Sequence, residues 1–213
     1  MHKKNIFKNF SLIELLVVIA IIGILASLLL PMLSKSRKTA QQAVCLNKIK
    51  QYSISSLIYA DDFDNMVPHS TANTLAPWDQ WYDRLKVTGY ISDVDNLNNL
   101  SCPSSTPITN HWSSGFGPNS KIGWRSNSDE PVAITSSHPS ETVLMMDTLN
   151  NGNFSYTAYY QTNSASLFTA DSSIRINRHN NKANTSFLDG HAQALSSSYL
   201  TANSTWGSTL WNP

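Results

Sequence analysis

From Leu12 to Leu33 the chain is apolar, broken only by Glu14, Gly23, Ser27 and Pro31. As a helix rising about 1.5 Å per residue, this run reaches roughly 33 Å, enough to cross a hydrocarbon core of about 30 Å. Lys3, Lys4 and Lys8 precede it, which argues for a cytoplasmic N-terminus; Lys35, Arg37 and Lys38 follow it, so the charge bias is not one-sided. A cleaved secretory signal would have an apolar stretch of about 7–15 residues, and this one continues past the small residues of ILAS. A plain membrane anchor would satisfy the length but not the carboxylate. A charge inside a membrane helix costs about 2.5–3.5 kcal/mol and calls for a partner. Nothing basic lies within the run. Cutting the chain between Asn9 and Phe10 would create a new α-amino group close to Glu14 in sequence.

The remainder has a different composition. Charged residues make up 14% of the chain, with 15 Lys and Arg against 14 Asp and Glu. The net charge of +1 gives no field that points to nucleic acid. Asn, Ser and Thr are abundant after residue 60, which suits an exported domain, and six Trp with eight Tyr argue against disorder. No fixed-period repeat is visible. Cys45 and Cys102 are candidates for a disulfide outside the cytoplasm, worth about 4 kcal/mol in the chain-entropy picture; two buried free thiols are the other reading.

Residues 34–62 contain neither Gly nor Pro, and Leu46, Ile49, Ser53, Leu57 and Ala60 recur at helical steps. One helix of about 50 residues is therefore expected, its outer half packed on a globular head. Asp61, Asp62 and Asp64 offer carboxylates to calcium, though a solvated loop accounts for them without an ion. Trp78, Trp81, Tyr82 and Leu85 have helical spacing; core packing is favoured over a sugar-stacking platform. ETVLMMDT reads as a buried strand with Met145 and Met146 as apolar filler, and NFSYTAYYQT as another strand. ANTSFLDGHAQAL reads as a hairpin about Asp189-Gly190. A two-residue type I′ turn there pairs Phe187 with Ala192. It puts Thr185, Phe187, Ala192 and Ala194 on the face toward the long helix, near Leu46 to Leu57, and Ser186, Leu188, His191 and Gln193 on the other. His179, Asp189 and His191 are metal-ligand types, yet no nucleophile motif, phosphate loop or zinc spacing accompanies them, and a structural hairpin is favoured.

FSLIELLVVIAIIGILASLLLP resembles the N-terminus of type IV prepilins and type II secretion pseudopilins. The resemblance implies a basic leader, Met1–Asn9, removed by a prepilin peptidase, with Phe10 as a methylated new N-terminus and Glu14 as the assembly glutamate. Asn9 stands where that family carries Gly. Gly23 and Pro31 fall where its members carry helix-loosening residues. His179, Asp189 and Gly190 form an H-x9-D-G pattern in RHNNKANTSFLDGHA, similar to a C-terminal signature of prepilin-like proteins from planctomycete, verrucomicrobial and lentisphaeral bacteria. AVCLNKIKQ, YADD and SCPSS also resemble blocks of those proteins; residues 104–175 match least.

The expected architecture is α+β and pilin-like: leader 1–9, membrane and assembly helix 10–33, outer helix 34–62, and a head of small antiparallel sheet over 63–213. The expected function is a non-enzymatic subunit of a pilus or pseudopilus filament serving protein secretion. It would sit in a bacterial inner membrane as a single-pass protein, N-terminus cytoplasmic and head periplasmic or at the cell surface. Its partners would be like subunits, prepilin peptidase and inner-membrane assembly machinery, not nucleic acid. No cofactor is expected beyond the calcium candidate. The alternatives are a bitopic surface protein with an aromatic glycan-binding head, and a metal-dependent surface enzyme using His179, Asp189 and His191.

Overall fold

The computed structural model describes residues 11–68, 81–92, 102–104, 115–119, 122, 134–147, 179–203 and 209–210. Asn9, Phe10, Trp78 and the strand expected in NFSYTAYYQT lie outside the described residues. The chain divides into two compact units, Met1–Thr39 and Ala40–Pro213.

A single helix, α1, runs Leu12–Asp62 and passes through Pro31. Its start is a reciprocal cap. The Ser11 backbone N–H donates to the Glu14 carboxylate at 2.9 Å, and the Glu14 N–H donates to the Ser11 hydroxyl at 3.2 Å. Two amides that a helix N-terminus leaves unpaired are thereby satisfied. Within the first unit the apolar side chains from Leu12 to Leu33 are all exposed, the large ones from 46% at Val18 to 78% at Leu12. This helix is long and apolar enough to span a membrane.

In the second unit, α1 turns Cys45, Ile49, Ser53, Ser56, Tyr59 and Ala60 inward. Their three- and four-residue steps are the stripe that a packed helix requires. The helix ends without glycine: Asp64 and Asn65 take left-handed backbone angles (φ 50° and 59°), and the Asn65 N–H donates to the Ala60 carbonyl at 2.8 Å. Asn and Asp tolerate that region better than other side chains.

The sheet is antiparallel throughout, in the order β1 (Phe116–Pro118), β2 (Val143–Asp147), β3 (Lys182–Phe187), β4 (Ala192–Ser196). Two short helices join it: α2, Trp81–Val87, and α3, Ser197–Ala202. The arrangement is α+β. One core cluster includes Cys45, Ile49, Trp81, Phe116, Met145 and Leu188; a second is formed by Val143, Met146, Ala183, Phe187, Leu195 and its neighbours Leu200 and Leu210. An irregularity between Val143 and Met145 puts the adjacent Leu144 and Met145 in the first cluster together, while Val143 and Met146 join the second. Trp81 is 2% exposed, so it packs in the core and offers no stacking surface.

The hairpin differs from the sequence expectation by one residue. Ser186 pairs with Ala192 and Thr185 with Gln193. The Phe187 N–H donates to the His191 carbonyl and the Gly190 N–H to the Phe187 carbonyl, each at 3.0 Å. The loop is thus Leu188-Asp189-Gly190, with Gly190 alone among them at positive φ (85°). A type I′ turn needs two such residues; a three-residue loop closing on a left-handed glycine needs one. The extra residue reverses the side chains of β3 against those of β4: Ala192 stays on the helix side as expected, with Ala194 two residues on, while Thr185 and Phe187 change face. Asn184, Ser186 and Leu188 face α1: Ser186 meets Ser53, Asn184 Nδ2 donates to the Gln42 carbonyl at 3.5 Å, and Leu188 joins the cluster of Ile49. Phe187 belongs to the opposite cluster and stacks on the His191 ring, 4.2 Å between centroids.

Candidate functional site

Four side chains from four separate parts of the second unit converge. Cys45, Cys102, Asp147 and His179 are all buried, and one ligand atom from each lies within 4.8 Å of the others. Each is placed by a local reason. Cys45 is one helical turn before Ile49 on the inward stripe of α1. Asp147 is the last residue of β2, two after Met145, and therefore on the same face of the strand. Cys102 opens the turn containing Pro103. His179 precedes Asn180 and Asn181, both left-handed (φ 55° and 61°), which turn the chain into β3.

The contacts are short. Cys45 Sγ donates to Asp147 Oδ1 at 3.0 Å. Cys102 Sγ lies 3.1 Å from His179 Nε2, and Asp147 Oδ2 lies 3.6 Å from that nitrogen. The Asn184 N–H donates to Asp147 Oδ2 at 2.9 Å, and the Ser104 N–H donates to Cys102 Sγ at 3.4 Å. His179 Nδ1 is buried with no hydrogen-bond partner among the described residues.

The two thiols are driven apart in acidity. The contact with Cys45, opposed by burial and aided by His179 and the Ser104 N–H, holds the Cys102 thiol below its ordinary range. Cys45 is pushed strongly up by its bond to Cys102, by burial and by the Asp147 charge.

This geometry is not that of a nucleophile relay. In a relay the carboxylate orients the ring nitrogen opposite the nucleophile. Here Cys102 and Asp147 approach the same nitrogen, Nε2, and the far nitrogen has no partner among the described residues. A small cavity lined by Ser56, Val67, Trp81, Asn119 and Leu144 among others includes none of the four.

Cys45 and Cys102, read from sequence as a candidate disulfide or as two buried thiols, are not disulfide-bonded and both stand in this cluster. His179 does not meet Asp189 or His191, the partners offered for it in the metal-enzyme reading. Those two pair with each other at the exposed turn, Nδ1 to Oδ1 at 2.5 Å. Asp61, Asp62 and Asp64 are exposed and form no comparable convergent set among the described residues; Asp62 accepts the Tyr90 hydroxyl at 2.5 Å. At the other end of the chain, Glu14 is engaged by Ser11, the residue two before Ile13. The S-x-x-E signal of that cap was legible in FSLIE. The fourfold cluster had no such signal. Comparison with protein-family models, with curated proteins and with solved structures gave no match.

Proposed function

We propose that the chain is a non-enzymatic subunit of a filament assembled from the inner membrane, resembling a type II secretion pseudopilin or related type IV pilin-like protein. The observation that carries this reading is the first half of α1: an apolar surface exposed on all sides, with one carboxylate in its first turn. An exposed apolar surface of this extent needs lipid or other helices around it. As a monomer the helix resides in the bilayer. In the filament it exchanges lipid for a bundle of like helices. Glu14 then meets the amine of a neighbouring subunit's Phe10, a pairing that recovers the cost of its burial and fixes the axial register. Until then the Ser11 N–H supports the carboxylate.

Intact-mass analysis of the mature chain, from a host with an active prepilin peptidase, tests the reading. A chain beginning at methylated Phe10 is expected. A chain that retains Met1–Asn9 in full contradicts it.

A further inference from the structure

We propose that Cys45, Cys102, Asp147 and His179 form a closed four-coordinate Zn2+ site that pins the outer half of α1 to the sheet. This goes beyond the filament reading and does not depend on it. Two sulfurs, an imidazole nitrogen and a carboxylate oxygen are a zinc donor set, and mixed sulfur and nitrogen donors in a tetrahedron disfavour calcium or magnesium. Zinc bonds of about 2.3 Å to sulfur and about 2.0–2.2 Å to nitrogen and oxygen imply ligand-to-ligand edges of roughly 3.3–3.8 Å. Cys45 lies 3.0 Å from Asp147 Oδ1, Cys102 3.1 Å from His179 Nε2 and His179 Nε2 3.6 Å from Asp147 Oδ2, and all four donors lie within 4.8 Å of one another; an ion is admitted with ligand shifts of up to about 1 Å.

The surroundings also fit. Cys45 and Cys102 are 0% exposed, Asp147 1% and His179 3%, so a carboxylate and an imidazole are buried beside two thiols. Burying a carboxylate is costly unless charge and hydrogen bonds compensate. A divalent ion supplies that charge. The Asn184 N–H to Asp147 and the Ser104 N–H to Cys102 are outer contacts of the kind that orient ligands. A Cys45–Cys102 disulfide would account for two of the four residues and leave Asp147 and His179 aimed at a neutral bridge. The ligands come from α1, the Cys102 turn, β2 and the segment before β3, so one ion would join elements far apart in the chain and stabilise the folded head by mass action.

The test uses the full chain purified in detergent under non-reducing conditions, with metal content measured by elemental mass spectrometry and thiols by intact mass. One zinc per chain with both thiols free of a disulfide is expected. Cobalt replacement should give the intense visible bands of a tetrahedral thiolate site, and His179→Ala should reduce retained zinc to background. A metal-free chain with a Cys45–Cys102 disulfide overturns the proposal, as does zinc retained undiminished by His179→Ala. Should that variant fail to fold, wild-type chain stripped with a chelator decides: added zinc must return to one per chain and raise the melting temperature. Absence of either response overturns the proposal.

Discussion

The hydroxyl oxygens of Ser53 on α1 and Ser186 on β3 lie 2.5 Å apart, both fully buried. Ser53 donates to Ser186, and the Ser186 hydroxyl donates to the Met145 carbonyl at 3.2 Å. Each hydroxyl has a fallback, since Ser53 Oγ also lies 2.7 Å from the Ile49 carbonyl. Ser53→Ala and Ser186→Ala should therefore each cost only about 0.5–1.5 kcal/mol. Ser186→Leu should cost more, about 1–3 kcal/mol, because there is no room for a longer side chain between helix and sheet. Denaturant melts of the three variants check the order; equal costs would contradict the face assigned to Ser186.

Gly190 tests the turn. A Cβ there would meet Leu57 Cδ1 at 3.6 Å, an ordinary contact, so the penalty comes from φ 85° and not from a clash. Gly190→Ala should destabilise by about 1–2 kcal/mol, Gly190→Val by more, and Gly190→Asn by less than either. His191→Ala should cost about 0.5–1.5 kcal/mol through the lost stack on Phe187. Thermal melting ranks the four.

Asp189 gives the turn an acid-side dependence. Partial burial works against its charge, but the His191 N–H, at 3.0 Å, and the His191 ring outweigh that and hold the carboxyl below its ordinary value. With the folded pKa depressed, the contribution is present in full above the unfolded value of about 3.9 and is lost as pH falls through the folded one. The carboxylate is largely exposed, so the effect is small. Asp189→Asn should flatten the stability profile below about pH 4, read by denaturant melts across that range.

Ser11 and Glu14 separate capping from assembly. Ser11→Ala removes a hydroxyl acceptor and should cost about 1 kcal/mol at the helix start, read as faster amide exchange in the first turn of micelle-bound chain. Glu14→Gln keeps an acceptor for the Ser11 N–H and should leave that exchange nearly unchanged while removing the charge.

Much of this fold is legible in the sequence because its signals are local. The length of α1 follows from an apolar run joined to a stripe through Ile49, Ser53 and Ala60; β2 follows from VLMM; the hairpin follows from Asp189-Gly190. Its register is not, because a DG pair serves two-residue and three-residue loops alike, and the serine and asparagine on the helix-facing side imitate a solvent face. Ser53 and Ser186 satisfy each other, so polarity at those positions says nothing about exposure. The fourfold cluster is illegible for another reason. Cys45 meets Asp147 across 102 positions and Cys102 meets His179 across 77, so no spacing motif exists to be read.

The exposed apolar half of α1 is tested most directly by where the chain is found. Sheared surface filaments and membranes should be separated from cells producing wild-type chain or Glu14→Gln, and both fractions quantified. Wild-type chain is expected in the filament fraction, with Glu14→Gln inserted in the membrane at normal levels but depleted from filaments at least about tenfold, the factor that 1.4 kcal/mol of lost pairing would give. Glu14→Gln entering filaments as efficiently as wild type, or wild-type chain confined to the membrane fraction in a filament-producing host, would contradict the account.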